Sequence, residues 1–138
     1  MLLLDTQTLV WFSSGDRKLG EAARQQVLEA GSRAELAVSP ISFWEVAMLV
    51  SKGKLRLPVS ASAWTAEICS SDNSPQIAEL TPEIAASAGQ LPWEVHGDPA
   101  DRIIIATARA LAAPILTSDG KMLDYGRAGH IQAIDARR

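Results

Sequence analysis

Residues 98–119 read DPADRIIIATARALAAPILTSD, and the two halves of this stretch decide the fold. Asp98 stands where a helix cap belongs and Pro99 falls in the first turn. Ile103, Ile104, Ala106, Thr107, Ala108 and Leu111 follow, so the pattern predicts a helix over 99–112. The run 115–116 then reads as a buried strand, because it is apolar without period-2 alternation. A helix feeding a short buried strand is the repeating unit of a parallel α/β sheet.

Working outward, the same unit recurs. Short apolar runs at Leu2–Leu4, Leu36–Val38, 77–80 and 131–134 read as four further buried strands. Helical patterns lie between them over residues 6–11, 20–30, 41–52, Ala61–Ser70 and 82–91, with Gly53 standing where the third should stop. Strands alternating with helices imply one α/β domain over residues 1–138, its sheet covered on both faces. Ligands of open parallel sheets bind beyond the carboxyl ends of the strands. That rule selects four acids. Asp5 ends the first strand, Glu45 lies one turn inside the helix after Leu36–Val38, Asp101 sits in the first turn of the long helix, and Asp119 follows the strand 115–116.

The composition fits one soluble core. The chain has 138 residues, 47% of them hydrophobic and 21% charged. Its single cysteine excludes an internal disulfide and fits a reducing cytoplasm. The opening MLLLDTQTLVW is broken by Asp5 and lacks the basic start and cleavage site of a secretory leader. No run approaches the ~20 apolar residues needed to cross a membrane, so no membrane partner is expected. The formal net charge of −3 speaks against nucleic-acid binding by bulk electrostatics. Any such binding is local.

Each acid also has an ordinary reading. Asp5 could cap the next helix, Ser42-x-x-Glu45 matches a capping box, Asp98 and Asp101 suit a helix N-terminus, and Asp119-Gly120 reads as a turn. Capping alone gives no reason for four such devices to share one edge of the sheet. Two carboxylates ~4 Å apart repel by ~1 kcal/mol in water and ~4 at an effective dielectric of 20, so a convergent group calls for a cation or for protons. An all-oxygen cluster suits Mg²⁺ or Mn²⁺ rather than zinc. The histidines have no ligand spacing: His130 reads as a turn residue, and His96, beside Gly97-Asp98, is open to a modest role near the acids. Such a site suits phosphodiester hydrolysis, with metal-activated water in place of a side-chain nucleophile.

The segments LDTQTL (4–9), SFWEVA (42–47), DPADRIIIATA (98–108) and LTSD (116–119) resemble the four acidic motifs of PIN-domain nucleases, in the family's order and over essentially the whole chain. The length and bare single domain are similar to VapC-type toxins of toxin–antitoxin pairs. The resemblance implies a three-layer α/β/α sandwich around a central, mostly parallel five-stranded sheet. It also implies Mg²⁺- or Mn²⁺-dependent cleavage of RNA, homodimerisation and inhibition by a small antitoxin. On it, Asp5, Asp101 and Asp119 are metal ligands and Glu45 completes the catalytic acids. Thr6 and Thr117 orient carboxylates, and Asp98 is an additional acid, first of all a helix cap.

Arg17, Lys18, the stretch Lys52 to Arg56, Lys121 and Arg127 are the candidate phosphate-binding rim, and each also reads as solvated surface. The Lys52 to Arg56 cluster follows the Glu45 helix and is expected at some distance from the acids. Trp11 and Trp44, at helical apolar positions, are expected in the core or an interface; Trp64 and Trp93 complete the set of residues able to stack bases. Three rivals remain. A haloacid-dehalogenase-type site needs Asp-x-Asp, and position 7 is Gln7. A receiver domain needs an acceptor Asp after a central strand, where 77–80 leads into Thr81-Pro82. A catalytically weak PIN-like module binding RNA or protein would keep the fold without turnover.

Overall fold

A computed structural model of the chain describes residues 1–92 and 97–138. The elements run β1 (Leu2–Leu4), α1 (Thr6–Ser14), α2 (Glu21–Ser32), β2 (Leu36–Val38), α3 (Pro40–Ser51), α4 (Ala61–Ser70), β3 (Gln76–Ile77), α5 (Pro82–Gly89), α6 (Pro99–Leu111), β4 (Ile115–Thr117), α7 (Gly120–Arg127) and β5 (Ala133–Asp135). The five strands form one sheet in the order β3-β2-β1-β4-β5, every neighbouring pair parallel. Trp93 and His96 lie outside the described residues.

β1 is central and wholly buried because every residue on it is leucine. Side chains of a strand alternate between faces. Leu2 and Leu4 therefore join Leu36, Val38 and Leu116 under Leu9, Val27 and Trp64 of α1, α2 and α4. Leu3 joins Ala37 and Ile115 on the other face, under Ile84, Ile104, Ile105 and Met122 of α5, α6 and α7. Two apolar layers thus sandwich the sheet, and the all-parallel arrangement sends every strand's carboxyl end to one edge.

The edges depart from expectation. The run 77–80 is not a buried strand; pairing covers only Gln76–Ile77, both exposed, plus Ala78 N–H donating to the Val38 carbonyl at 2.8 Å. Thr81 then caps α5 with Pro82 in its first turn, which takes the chain off the sheet. The last strand lies at Ala133–Asp135 rather than 131–134 and is only half-buried, as suits a sheet edge. α7 was not foreseen, because Asp119-Gly120 reads as a turn; Asp119 is instead its N-cap, and Met122, Leu123 and Tyr125 bury its inner face. The capping-box reading of Ser42 fails as well. Ser39 caps α3, its Oγ accepting from Ile41 N–H, and Ser42 lies buried within the helix. Trp44 is not core: it is 53% exposed, whereas Trp64 is 4% exposed and donates through Nε1 to Ser13 Oγ at 3.2 Å.

The C-terminal segment seals α2. No side chain caps that helix; the Arg138 carbonyl accepts from Ala23 N–H at 3.2 Å, and Gly20 N–H donates to the Ala136 carbonyl at 2.8 Å. A Cβ on Gly20 would fall 2.0 Å from the Arg138 carbonyl carbon. Gly→Ala at a compatible site stabilises by ~0.4–1 kcal/mol. Here the backbone collision reverses the sign, and Gly20→Ala is expected to destabilise by ~1–3 kcal/mol, as overpacking does. Urea unfolding at unchanged slope checks this; a variant as stable as the parent would show that the terminal segment yields freely.

Candidate metal centre

The chemistry starts where β1 ends. Asp5 caps α1, its Oδ1 accepting from Thr8 N–H at 2.8 Å, and its Oδ2 accepts from Thr117 Oγ1 at 2.5 Å. Thr117 Oγ1 also accepts from Asp119 N–H at 3.0 Å, and Thr8 Oγ1 donates to the Leu116 carbonyl at 3.0 Å. β1 and β4 are neighbours, so these threonines tie the first acid to the fourth across the sheet. Asp119 in turn caps α7, accepting from Lys121 N–H at 2.8 Å.

Glu45 arrives from α3, held against α1 by Thr6 Oγ1 donating to Ser42 Oγ at 2.9 Å. Asp101 arrives in the first turn of α6, whose cap is Asp98: its Oδ1 accepts from Ala100 N–H at 2.9 Å and Asp101 N–H at 3.2 Å. Asp5, Glu45, Asp101 and Asp119 line one open cleft of about 350 Å³. Thr6, Gln7, Ser118 and Lys54 share its wall. The structure therefore brings all four sequence-selected acids together. Thr6 lines the cleft and Thr117 supports it from beneath, while Asp98 stays exposed at its cap. Lys54 corrects an expectation, since the basic stretch after α3 returns to the acids instead of lying away from them. Leu55 and Leu57 pack on the core and leave Lys54 outside. Gln7 and Ser42 lie inside the quoted motifs, but neither was singled out in the sequence as part of the site.

The electrostatics follow from burial and crowding. Burial pushes the Asp5 carboxyl up, against the pull of its Thr117 and Thr8 hydrogen bonds. Burial also raises Glu45, opposed by Thr6 and reinforced by Asp98 and Asp5. Asp101 is pushed up to about 8, first by burial and then by the charges of Asp98, Asp119, Glu45 and Asp5. A cleft in which burial and crowding raise the Asp5, Glu45 and Asp101 carboxyls is short of positive charge, which is the condition a hard divalent cation relieves. Among the described residues, no three His, Cys, Asp or Glu side chains are placed to hold an ion by themselves. A cation here would rest on a subset of the acids and on water, the habit of Mg²⁺.

The chain also resembles known proteins. A family model described as the PIN domain matches residues 2–128. Ribonuclease VapC22 of Mycobacterium tuberculosis is 34% identical over 124 residues, covering 90% of this chain and 91% of that protein. In fold, the chain is similar to three solved structures. The structure of VapBC2 from Rickettsia felis bound to a promoter DNA fragment has a TM-score of 0.67 at 17% identity, with 96% of each chain covered. A toxin–antitoxin complex from Klebsiella pneumoniae gives 0.60 at 21% identity, covering 99% of this chain and 98% of that one. FitAcB from Neisseria gonorrhoeae gives 0.61 at 17% identity, with the same coverage.

The raised Asp101 carboxyl fixes a pH dependence. The folded state holds a proton there that the unfolded chain, with an ordinary carboxyl, releases near pH 4. Stability from this group is therefore complete below about pH 4 and is lost as pH rises through about 8. In metal-free buffer the melting temperature should fall over that window, and Asp101→Asn should flatten the fall. Identical pH profiles for parent and variant would contradict the crowding.

Proposed function

The chain belongs to the PIN-domain family, and from that premise we propose that it is a divalent-metal-dependent endoribonuclease, the toxin of a toxin–antitoxin pair. One observation carries the reading: Asp5, Glu45, Asp101 and Asp119, from four separate segments, line a single cleft at the carboxyl edge of the sheet. Ribonuclease activity in a relative that matches nine-tenths of the chain supports it.

Asp5, Asp101 and Asp119 would hold Mg²⁺ or Mn²⁺, directly or through water. When bound, the cation supplies positive charge for the phosphodiester and acidifies water beside it. Asp5 is the fixed acid, both of its oxygens being oriented by Thr8 and Thr117. Asp101 is the responsive one, ready to exchange its proton for a cation near neutral pH. Glu45, half-buried on α3, serves as the proton acceptor facing the cleft. Lys54 gives the cleft one cation for the substrate's phosphate.

A neighbour solved as a toxin–antitoxin complex supports a small antitoxin as partner. Homodimerisation and action in the cytoplasm belong to the same proposal. Exposed Trp44 on α3 offers apolar area for a second copy. Among the described residues, no helix is long and apolar enough to cross a membrane.

Two outcomes follow. Mn²⁺ or Mg²⁺ should stabilise the isolated chain, by ~2.7 kcal/mol at a hundredfold excess over Kd. Asp101→Asn should abolish RNA cleavage while its metal-free melting temperature stays level or rises. Asn can still accept a hydrogen bond at a helix start, so a purely structural role would leave activity intact. Equal cleavage by parent and variant would sink this assignment of Asp101. Light scattering should separately give twice the chain mass, and a monomer at high concentration would remove the dimer.

A further inference from the structure

Beside the acid cleft lies a second hollow of about 240 Å³. The two are contiguous: Gln7, Val10 and Leu55 line both. Their chemistry is opposite. The second carries Lys18, Arg56 and the partly exposed Trp11. Neither cation is ion-paired among the described residues. Asp16 is also on this wall, but its Oδ1 accepts from Lys18 N–H at 2.9 Å and thereby shapes the turn that presents the lysine. The placement of Arg56 follows from the sequence. In Lys54-Leu55-Arg56-Leu57 the leucines pack on the core, so both cations face out. Lys54 reaches the acid cleft and Arg56 the second hollow, with at most ~7 Å of chain between their Cα atoms.

A polyanion engaged at the acids gains nothing from staying among them beyond its reacting phosphate. Its next phosphates need cations, and beyond Lys54 in the cleft itself the adjoining hollow supplies Lys18 and Arg56. We propose that this hollow is a subsite for single-stranded RNA, in which Lys18 and Arg56 take a backbone phosphate neighbouring the scissile one and Trp11 backs the adjoining base. It rests on the nuclease reading of the acids. It adds a direction, with the strand leaving the acid cleft over Gln7 toward the turn at Asp16. Local cations, not bulk charge, then hold RNA on a chain of net charge −3.

The test is binding without turnover. The Asp101→Asn chain is titrated with a fluorescently labelled single-stranded RNA dodecamer, without divalent cations, over a series of monovalent salt. Each phosphate contact on a single strand contributes about −0.7 to the slope of log affinity against log salt. Adding Lys18→Ala and Arg56→Ala, which gives up that one phosphate, should make the slope shallower by about 0.7 and weaken low-salt binding at least tenfold. Trp11→Leu should weaken binding on the order of tenfold at unchanged slope, as lost stacking does. Arg33→Ala with Arg137→Ala, both exposed and neither lining the hollow, should leave slope and affinity alone. An unchanged slope in the Lys18/Arg56 variant, an equal loss from the Arg33/Arg137 pair, or no RNA binding by the Asp101→Asn chain would each overturn the subsite. Failure of the wild-type chain to cut RNA with Mn²⁺ present would instead count against the nuclease reading, and the slope is read independently of it.

Discussion

A carboxylate buried at the end of a central strand must have its oxygens hydrogen-bonded, because an unpaired buried polar group costs ~1–3 kcal/mol and a charge more. Asp5 meets that demand with two partners that come from opposite ends of the chain. Thr8 N–H is local, a helix cap. Thr117 Oγ1 stands 112 residues away in sequence, on the neighbouring strand. The need to satisfy one side chain thus joins β1, α1 and β4, and through Thr117 and Asp119 N–H it reaches α7.

Capping and convergence turn out to be one device. Asp5 and Asp119 each cap a helix, and Asp101 occupies the first turn of a third. Parallel strands followed by helices bring those N-termini to a single edge, where each helix end carries roughly half a positive charge within a turn of the acids. The helix ends partly offset the repulsion, and the cleft still leaves Asp101 protonated to about pH 8. What remains is a demand for cationic charge that a divalent ion or a proton can meet.

The central parts of this arrangement were legible in the sequence because burial there is complete. Leu2–Leu4, Leu36–Val38 and the run at 115–116 have no polar face, and Asp98-Pro99 marks the start of α6 unambiguously. The edges were less legible. Gln76–Ile77 and Ala133–Asp135 pair on one side only, so apolar character no longer sets their bounds. Helix α7 is short and glycine-flanked, and its start is identical in sequence to a turn. Ser42 matches a cap by spacing, yet Ser39-Pro40 comes first along the chain and takes that role. Lys54 belongs at the cleft because Leu55 and Leu57 turn inward, a tertiary fact that charge patterning does not carry.

The pairing of Leu3 with Ile115, and of Asp5 with Thr117, has a consequence for synthesis. Polypeptides grow from the N-terminus, so β1 emerges well before its β4 neighbour, 112 residues separating Asp5 from Thr117. Long-range parallel pairing of this kind is slow, and its loop-closure entropy is paid before any contact rewards it. Until residues 115–119 leave the ribosome, Asp5 lacks its threonine and the fourth acid does not exist. In the nascent chain the acid cleft is therefore incomplete until β4 has paired with β1 and α7 has begun.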